Sequence, residues 1–424
     1  MMQRTCIVSW ALAVTAALTA LACAQPQPAA KPAASAPATG QQPAAQQPTT
    51  GEPIRIGAVV PITGRYAALG EQVRAGYEFA VEDVNAAGGV EVGGVRRPLE
   101  LKLLDDESDP QKTVQRLESL YSSDKVTAYL GGAGSDLHAA GAAIGDKNKV
   151  PYLGIAFGLY DIHQKGLKYL FSPFPKSPDL SRTIFELASS LPQAERPSRF
   201  AIFHEKTDWG LEMAKYYSEA AQNVGFQIAI DEEYAPGAKD FSDIILKAKA
   251  ANADALLGMP GPPDGIAIVK QMKELDWNPK FLYLPRAPDA LVWGQNLGKD
   301  GDFVIFSPGW HYAVKFPGVA ELNAKHEAKF GRPADVLVGP AYGLVQVFAD
   351  AAKRAGKTDG ESLRQALATT DLQTVVGPVK FNSDGTGVVP VLMPQWQNGK
   401  QELVWPRDQA SAPIMYPAKP FNQR

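Results

Sequence analysis

Three loops of small residues follow hydrophobic runs in the sequence and could bind an anion. They span residues 61–70, 131–136 and 154–158, and each contains glycine. Glycine lets backbone N–H groups approach a ligand closely, and each loop precedes a helix whose positive end favours a carboxylate. The same glycines could instead serve only to form tight turns between strands and helices.

The residue patterns that catalysis usually requires do not occur in the sequence. A G-x-G-x-x-G motif fails at Leu137, and residues 356–358 lack the first glycine of a P-loop, where Ala351 stands. Ser135 lies outside a G-x-S-x-G motif, and no pair of histidines has H-E-x-x-H spacing. The acidic run 105–109 lacks the ligand spacing of a calcium loop, so we interpret it as a solvated loop and helix cap. We therefore expect no enzyme, no cofactor and no metal site.

The elements that position these loops alternate between strands and helices. One group of strands is predicted at residues 54–60, 99–105, 126–131, 151–155 and 169–172, and a second at 199–204, 226–230, 253–259, 280–284 and 303–306. Helix-period segments lie between them. This order predicts an α/β fold with two doubly wound parallel sheets, which collect ligands at the carboxyl ends of their strands.

Composition and charge limit the class of protein further. The 424 residues are 45% hydrophobic and 21% charged, with 42 Lys and Arg against 45 Asp and Glu, a net charge of −3. This near balance argues against a nucleic-acid partner, which needs a clustered positive field. The length exceeds one hydrophobic core and fits two lobes. The only cysteines, Cys6 and Cys23, lie near the amino terminus, which excludes a disulfide framework or a thiolate metal site in the body.

Residues 1–22 are interpreted as a signal peptide. Arg4 precedes the apolar stretch 7–22, which is shorter than the roughly 20 residues of a membrane-spanning helix. The stretch ends in Ala-Leu-Ala before Cys23, which resembles a bacterial lipobox, so we expect Cys23 to carry a lipid anchor. Simple secretion with cleavage at the same bond is the alternative. Residues 23–52 would then form the anchor and a disordered tether rich in alanine, proline and glutamine.

Motifs spread over nearly all of the chain from Pro53 onward resemble one family. The sequence reads IRIG at 54–57, PITG at 61–64, VNAAGG at 84–89, HEKTDWG at 204–210 and VGPVKFN at 376–382. These motifs resemble the leucine/isoleucine/valine-binding protein family, the substrate-binding proteins of ABC importers. The resemblance implies the type I periplasmic binding protein fold, in which two doubly wound lobes are joined by three crossing strands and close on a ligand.

The resemblance also implies an organisation and a set of partners. Lobe I would comprise residues 53–173 and 309–386, and lobe II residues 174–308 and 387–424, with crossings near residues 171–175, 307–310 and 384–389. The protein would be exported to the periplasm or cell surface, anchored to the membrane through its lipid, and monomeric. It would capture a small-molecule ligand and deliver it to an ABC permease with its ATPase. A ligand-sensing module of a signalling system is the alternative, because the fold also serves receptors.

The ligand contacts are implied position by position. Ser135 stands where relatives offer a serine to the ligand's α-carboxylate, and Ala156 and Gly158 stand where relatives offer backbone and a threonine hydroxyl. Trp209 corresponds to the aromatic residue that covers the ligand from the second lobe. The expected ligand-binding residues are Ser135, Asp136, Ala156, Phe157, Gly158, Trp209 and Arg286.

Two departures from the family pattern bear on the ligand. Relatives place an acidic residue for the ligand's ammonium where this chain has Arg286, and a second aromatic residue is replaced by the proline-rich segment 260–263. Arg286 could bind a carboxylate with its planar fork, which favours an organic acid. It could instead form a salt bridge between surface loops.

The remaining candidates concern the floor of the site and the charge of the ligand. The apolar floor beside Trp209 would come from Phe157, Tyr66 or Trp310. Asp136 or Asp208 could restore a partner for an ammonium group, which keeps an amino acid or amide open as the ligand.

Overall fold

The computed structural model of the chain describes residues 51–424. The predicted signal peptide, the predicted anchor Cys23 and residues 24–50 of the predicted tether lie outside the described residues. Those three interpretations stay predictions.

The first sheet contains five parallel strands, and two further short strands pair as a hairpin. In chain order these are β1 (Ile54–Val60), the hairpin strands β2 (Val90–Val92) and β3 (Val95–Arg97), β4 (Leu99–Asp105), β5 (Ala128–Leu130), β6 (Tyr152–Leu153) and β7 (Leu170–Phe171). The sheet order is β4-β1-β5-β6-β7, with every pairing parallel. All of β1 is buried except Arg55, because helices cover both faces of a parallel sheet.

The second sheet has seven strands and adds an antiparallel hairpin to a parallel core. Its first five strands are β8 (Arg199–Glu205), β9 (Gln227–Tyr234), β10 (Ala255–Gly258), β11 (Phe281–Tyr283) and β12 (Val304–Ile305). A separate three-stranded sheet follows in the chain, with β13 (Asp371–Thr374), β14 (Gly377–Phe381) and β15 (Gly387–Val388). The last two strands of the seven-stranded sheet are β16 (Met393–Gln397) and β17 (Lys400–Trp405). The order is β17-β16-β12-β11-β10-β8-β9. The β16–β17 hairpin was not predicted, although Asn398 and Gly399, both with positive φ, are a typical hairpin-turn pair.

Eleven α-helices occur among the described residues. They are α1 (Ala67–Ala86), α2 (Pro110–Ser119), α3 (Ser135–Asn148), α4 (Ser177–Ser190), α5 (Asp208–Val224), α6 (Ser242–Ala250), α7 (Pro262–Glu274), α8 (Val292–Leu297), α9 (Val319–Phe330), α10 (Val338–Ala355) and α11 (Gly360–Ala368). The predicted alternation of strands and helices around two mainly parallel sheets is confirmed. Boundaries differ most at β9, which continues to Tyr234 through the acidic residues 231–233, because it lies at the sheet edge, where polar side chains reach solvent.

The acidic run 105–109 is only partly the solvated cap that the sequence predicted. The Asp109 carboxylate accepts the backbone N–H of Gln111 at 2.7 Å and begins α2, so the cap is confirmed. Asp106, however, is 1% exposed and accepts hydrogen bonds from Ser108 N–H and the Thr113 hydroxyl. The solvated interpretation is wrong for Asp106, because its side chain folds back under the first turn of α2.

The chain passes between the two sheets three times, after β7, after β12 and after β15. Helix α9, which follows the second passage, packs on α1 of the first sheet through His326 and Phe79, whose ring centroids are 6.2 Å apart. The first and third passages lie side by side, since Ser172 and Thr386 form a parallel bridge. These passages are short, and the lobe boundaries at residues 173, 308 and 386 stay a prediction.

Candidate ligand-binding site

A cavity of about 280 Å³ lies between loops of the two sheets. The first sheet contributes the loops after β1, β5 and β6, and the second contributes those after β8, β10 and β11. All of these loops follow carboxyl ends of parallel strands, as expected for such folds. The structure brings all seven predicted residues to this cavity: Ser135, Asp136, Ala156, Phe157, Gly158, Trp209 and Arg286. That they bind a ligand stays a prediction.

Ser135 and Asp136 lie in the first turn of α3, directly after Gly134, a position that only glycine can occupy. Gly134 has φ of 114°, and a Cβ there would lie 2.7 Å from the Tyr66 ring. Asp136 Oδ1 is buried and has no hydrogen-bond partner. Burial raises the pKa of the Asp136 carboxyl, and the positive charge of Arg65 partly opposes this shift. The Asp136 carboxyl group therefore already lies at the N-terminal end of α3, where a ligand carboxylate could also bind.

Phe157 forms a wall of the cavity and is fixed by basic side chains behind it. Its ring stacks on His138 and His163, with centroids 4.3 and 5.9 Å away. Burial lowers the pKa of His138 to about 3 and of His163 to about 4, so both rings are neutral packing groups at pH 7. The Lys176 ammonium lies 3.6 Å from the ring centroid and donates to the Phe157 carbonyl and the Ser172 hydroxyl. Sequence analysis missed Lys176, because no local pattern marks a lysine that folds under a loop.

Trp209 enters the cavity from the first turn of α5. The Thr207 hydroxyl caps this helix by accepting Gly210 N–H at 3.1 Å, and a Cβ at Gly210 would lie 2.0 Å from the Glu205 carbonyl oxygen. The glycine after Trp209 thus allows the sharp strand-to-helix turn that directs the indole. Trp209 Nε1 is buried without a partner, and a Cβ at Gly158 would lie 2.6 Å from it.

Arg286 is buried and paired within its own loop. It is 5% exposed, Nη1 donates to Asp289 Oδ2 at 3.1 Å, and the guanidinium lies 4.7 Å above the Phe174 ring. Arg286 therefore does form a salt bridge, but within one buried loop and not between surface loops. An acidic residue does follow β11, namely Asp289, but it faces Arg286 and does not line the cavity. Arg286 Nε and Nη2 remain without partners.

An ion pair that sequence analysis missed links the two sheets beside the cavity. Arg65 Nη2, after β1, lies 2.6 Å from Glu205 Oε1, at the end of β8, and Gly261 N–H donates to the same oxygen at 2.8 Å. A Cβ at Gly261 would lie 2.9 Å from Arg65 Nη2, so the glycine between two prolines admits the pair. The motif HEKTDWG contained Glu205, but nothing local indicated its partner.

The other candidates divide between cavity and core. Tyr66 and Asp208 line the cavity, and Asp208 is exposed. Trp310 does not line it: the residue is fully buried, Nε1 donates to the Val375 carbonyl, and Gly339 packs against the indole. The prediction of Trp310 as an apolar floor is wrong, because packing on α10 directs the ring away from the cleft.

Comparison with known proteins identifies the family. Residues 53–401 match the family model described as periplasmic binding protein. The chain belongs to the periplasmic binding protein family. It is 24% identical to Leu/Ile/Val-binding protein homolog 7 of Brucella abortus over 86% of this chain and 94% of that protein.

Two solved structures show that the fold of this periplasmic binding protein is of type I. LivJ of Streptococcus pneumoniae, a branched-chain amino acid transporter substrate-binding protein in complex with isoleucine, has a TM-score of 0.74, 24% identity and coverage of 86% of this chain and 100% of that chain. A solute-binding protein of R. palustris in complex with benzoate has a TM-score of 0.71, 19% identity and coverage of 86% and 97%. The predicted family and fold are confirmed.

Membership of the family defines the general role. Periplasmic binding proteins are extracytoplasmic substrate-binding proteins. Within residues 51–424, no helix is long and apolar enough to cross a membrane.

Proposed function

We propose that this periplasmic binding protein captures a small organic ligand between its two sheets and delivers it to an ABC permease. The ligand class is a carboxylate, aromatic or aliphatic, or an amino acid. Cys23 would anchor the protein to a membrane by its lipid, and the chain would work as a monomer. Closure of the two lobes around the ligand would give the permease a distinct, ligand-loaded form.

The observation that supports this proposal best is a set of unpartnered polar atoms around one cavity. Asp136 Oδ1, Trp209 Nε1, and Nε and Nη2 of Arg286 are buried, without partners, on residues that line the same space. Buried polar groups are nearly always hydrogen-bonded in folded proteins. A bound ligand would provide the missing partners.

The size and lining of the cavity agree with a small ligand. Its volume of about 280 Å³ is at the lower end of the roughly 300 to 1,000 Å³ that small-molecule sites occupy. Phe157, Trp209, Leu69 and Met259 provide apolar surface. Arg286 is the only cation among the lining residues, which also include the carboxylates of Asp136, Glu205 and Asp208. This combination suits a ligand with a compact apolar body and at least one carboxylate.

Calorimetric titration tests the proposal. The panel is leucine, valine, a neutral amide, benzoate, phenylacetate and succinate, each with the wild-type protein and Arg286→Ala. At least one carboxylate should bind, and Arg286→Ala should weaken it by about 2 to 4 kcal/mol, since a buried anion loses its partner. Tight binding that is indifferent to Arg286→Ala would contradict the role of Arg286. Binding of no member would contradict the proposed function.

A further inference from the structure

Two charged side chains that line the cavity, one from the loops of each sheet, have buried polar atoms without hydrogen-bond partners. We infer that Asp136 and Arg286 fix the direction in which the ligand lies: its hydrogen-bond-donating group, such as an ammonium, contacts Asp136, and its carboxylate contacts Arg286. This inference rests on the proposed function. The direction is the reverse of the one that the family resemblance implies, in which the loop of Ser135 receives the carboxylate.

A negative charge is already present at the start of α3. Asp136 lies in the first turn of this helix, and no side chain caps the helix at Gly134. A carboxylate in the first turn is stabilised by the positive end of the helix. A ligand carboxylate at Ser135 would share this helix end with the Asp136 carboxylate, and the two like charges would repel each other in a poorly solvated space.

One carboxylate oxygen of Asp136 has no hydrogen-bond partner. Its Oδ1 is buried without a hydrogen-bond partner. Arg65 and the Tyr66 hydroxyl both lower the pKa of this carboxyl, but the Arg65 guanidinium is engaged with Glu205 at 2.6 Å. An ionised carboxylate accepts hydrogen bonds and donates none, so the group that completes this site is a donor.

The loops of the second sheet contain donors without hydrogen-bond partners. Arg286 bonds Asp289 through Nη1 alone, which leaves Nε and Nη2 free, and Trp209 Nε1 is a further donor without a partner. Donors that have no acceptor call for a carboxylate on this side of the cavity.

The experiment uses two sets of probes. Each set contains an amino acid, an analogue without its amino group and an analogue without its carboxylate. The first set is isoleucine, 3-methylpentanoate and 2-methylbutylamine, and the second is phenylalanine, 3-phenylpropanoate and 2-phenylethylamine. Dissociation constants are measured by calorimetry for the wild type, Asp136→Asn and Arg286→Gln. Asp136→Asn should weaken the amino-bearing probes at least about tenfold and spare the two plain carboxylates. Arg286→Gln should weaken every carboxylate-bearing probe by a similar factor and spare the two amines.

Two further variants guard against loss of the fold. Arg286→Gln leaves Asp289 buried without its partner, so the double variant Arg286→Met with Asp289→Leu, which removes the whole pair, should show the same loss while thermal unfolding stays cooperative. Asp243→Asn changes another first-turn aspartate, on the exposed start of α6, and should alter no dissociation constant.

The outcomes separate the inference from the proposed function. The inference is overturned if Asp136→Asn weakens binding of the plain carboxylates. It is also overturned if Asp208→Asn, and not Asp136→Asn, weakens binding of the amino-bearing probes. Wild-type protein that binds benzoate or succinate but none of the amino-bearing probes also overturns the inference and leaves the proposed function standing. Failure of all probes to bind contradicts both.

Discussion

Arg65 and Glu205, 140 positions apart in the chain, form an ion pair of 2.6 Å that links a loop of the first sheet to a strand end of the second. The Glu205 side chain is 6% exposed and that of Arg65 is 28% exposed. The pair lies beside the cavity, because Glu205 lines it and also accepts the N–H of Gly261. This ion pair therefore links the loops of the two sheets directly, in addition to any contacts that a bound ligand makes with both.

A double-mutant cycle should detect this bond. Arg65→Met, Glu205→Gln and the double variant should give a coupling of about 1 to 3 kcal/mol in the free energy of unfolding, because the carboxylate is buried. The matched control is the exposed pair of Lys206 and Glu233, 3.1 Å apart, for which roughly 0 to 1 kcal/mol is expected. Chemical denaturation provides the values. Equal coupling in the two pairs would rule out a special stabilising role for the Arg65–Glu205 ion pair.

A second link between the sheets depends on Glu212 of α5. Its two carboxylate oxygens accept the backbone N–H groups of Tyr160 and Asp161 at 2.8 and 2.7 Å. Glu212→Ala should expose these amides and increase their hydrogen-exchange rates at least about tenfold, which corresponds to a loss of about 1.4 kcal/mol of local protection. Glu219→Ala, an exposed change on the same helix, is the control. Unchanged exchange at Tyr160 and Asp161 would argue against the link.

Gly158 should be essential for the position of Trp209. Gly158→Ala places a methyl group 2.6 Å from the indole nitrogen, so the ring must move, at a cost of about 1 to 3 kcal/mol. We expect weaker binding of the tightest probe in the panel and altered tryptophan fluorescence. Gly343→Ala in α10 is the control, because its methyl group would meet Val376 at an ordinary 3.4 Å. Retained affinity and fluorescence in Gly158→Ala would contradict the placement of the indole.

The general position of the site could be predicted from the sequence, whereas its charge pairing could not. Strand ends followed by glycine loops locate Ser135 and Gly158 because all parallel strands end at one edge. The partners Arg65 and Glu205 come together only when the two sheets pack. Asp289 was missed as the partner of Arg286, although the two are only three positions apart, because a short 3-10 turn sets their directions. Trp310 was misplaced because its position in the chain does not give the direction of its ring.

Asp106 should produce a pH-dependent loss of stability. Burial raises its pKa from 3.8 to about 6, despite hydrogen bonds from Ser108 and Thr113. Between about pH 4 and pH 6 the folded chain then binds more protons than the unfolded chain, so the stabilisation present below pH 4 is lost as the pH rises. Asp106→Asn should remove this dependence, worth about 2 to 3 kcal/mol at most.

Denaturant unfolding from pH 4 to pH 7.5 checks this dependence. The neighbouring Asp105 is the contrasting case. Burial would raise its pKa, but hydrogen bonds from the N–H groups of Glu107, Thr63 and Ile62 and from the Thr63 hydroxyl lower it. Its contribution therefore has the opposite sign, and Asp105→Asn should remove stability at neutral pH. Identical pH profiles for wild type and Asp106→Asn would refute the assignment.

The proposed lipid anchor is testable without any ligand. Cys23→Ala should move the protein from the membrane fraction to the soluble fraction, while its thermal unfolding stays as in the wild type, since only the anchor is altered. Cell fractionation with mass spectrometry of the mature amino terminus gives the answer. Fully soluble wild-type protein with an unmodified Cys23 at its amino terminus would indicate simple secretion.

Solution X-ray scattering tests the central claim most directly, because capture between two sheets requires that they close on the ligand. The measurement compares the ligand-free protein with the protein saturated by the tightest-binding probe of the panel, with saturation established by calorimetry. We predict a smaller radius of gyration in the saturated sample, since a ligand that contacts both sheets favours the closed form. Identical scattering profiles at proven saturation would contradict capture by closure.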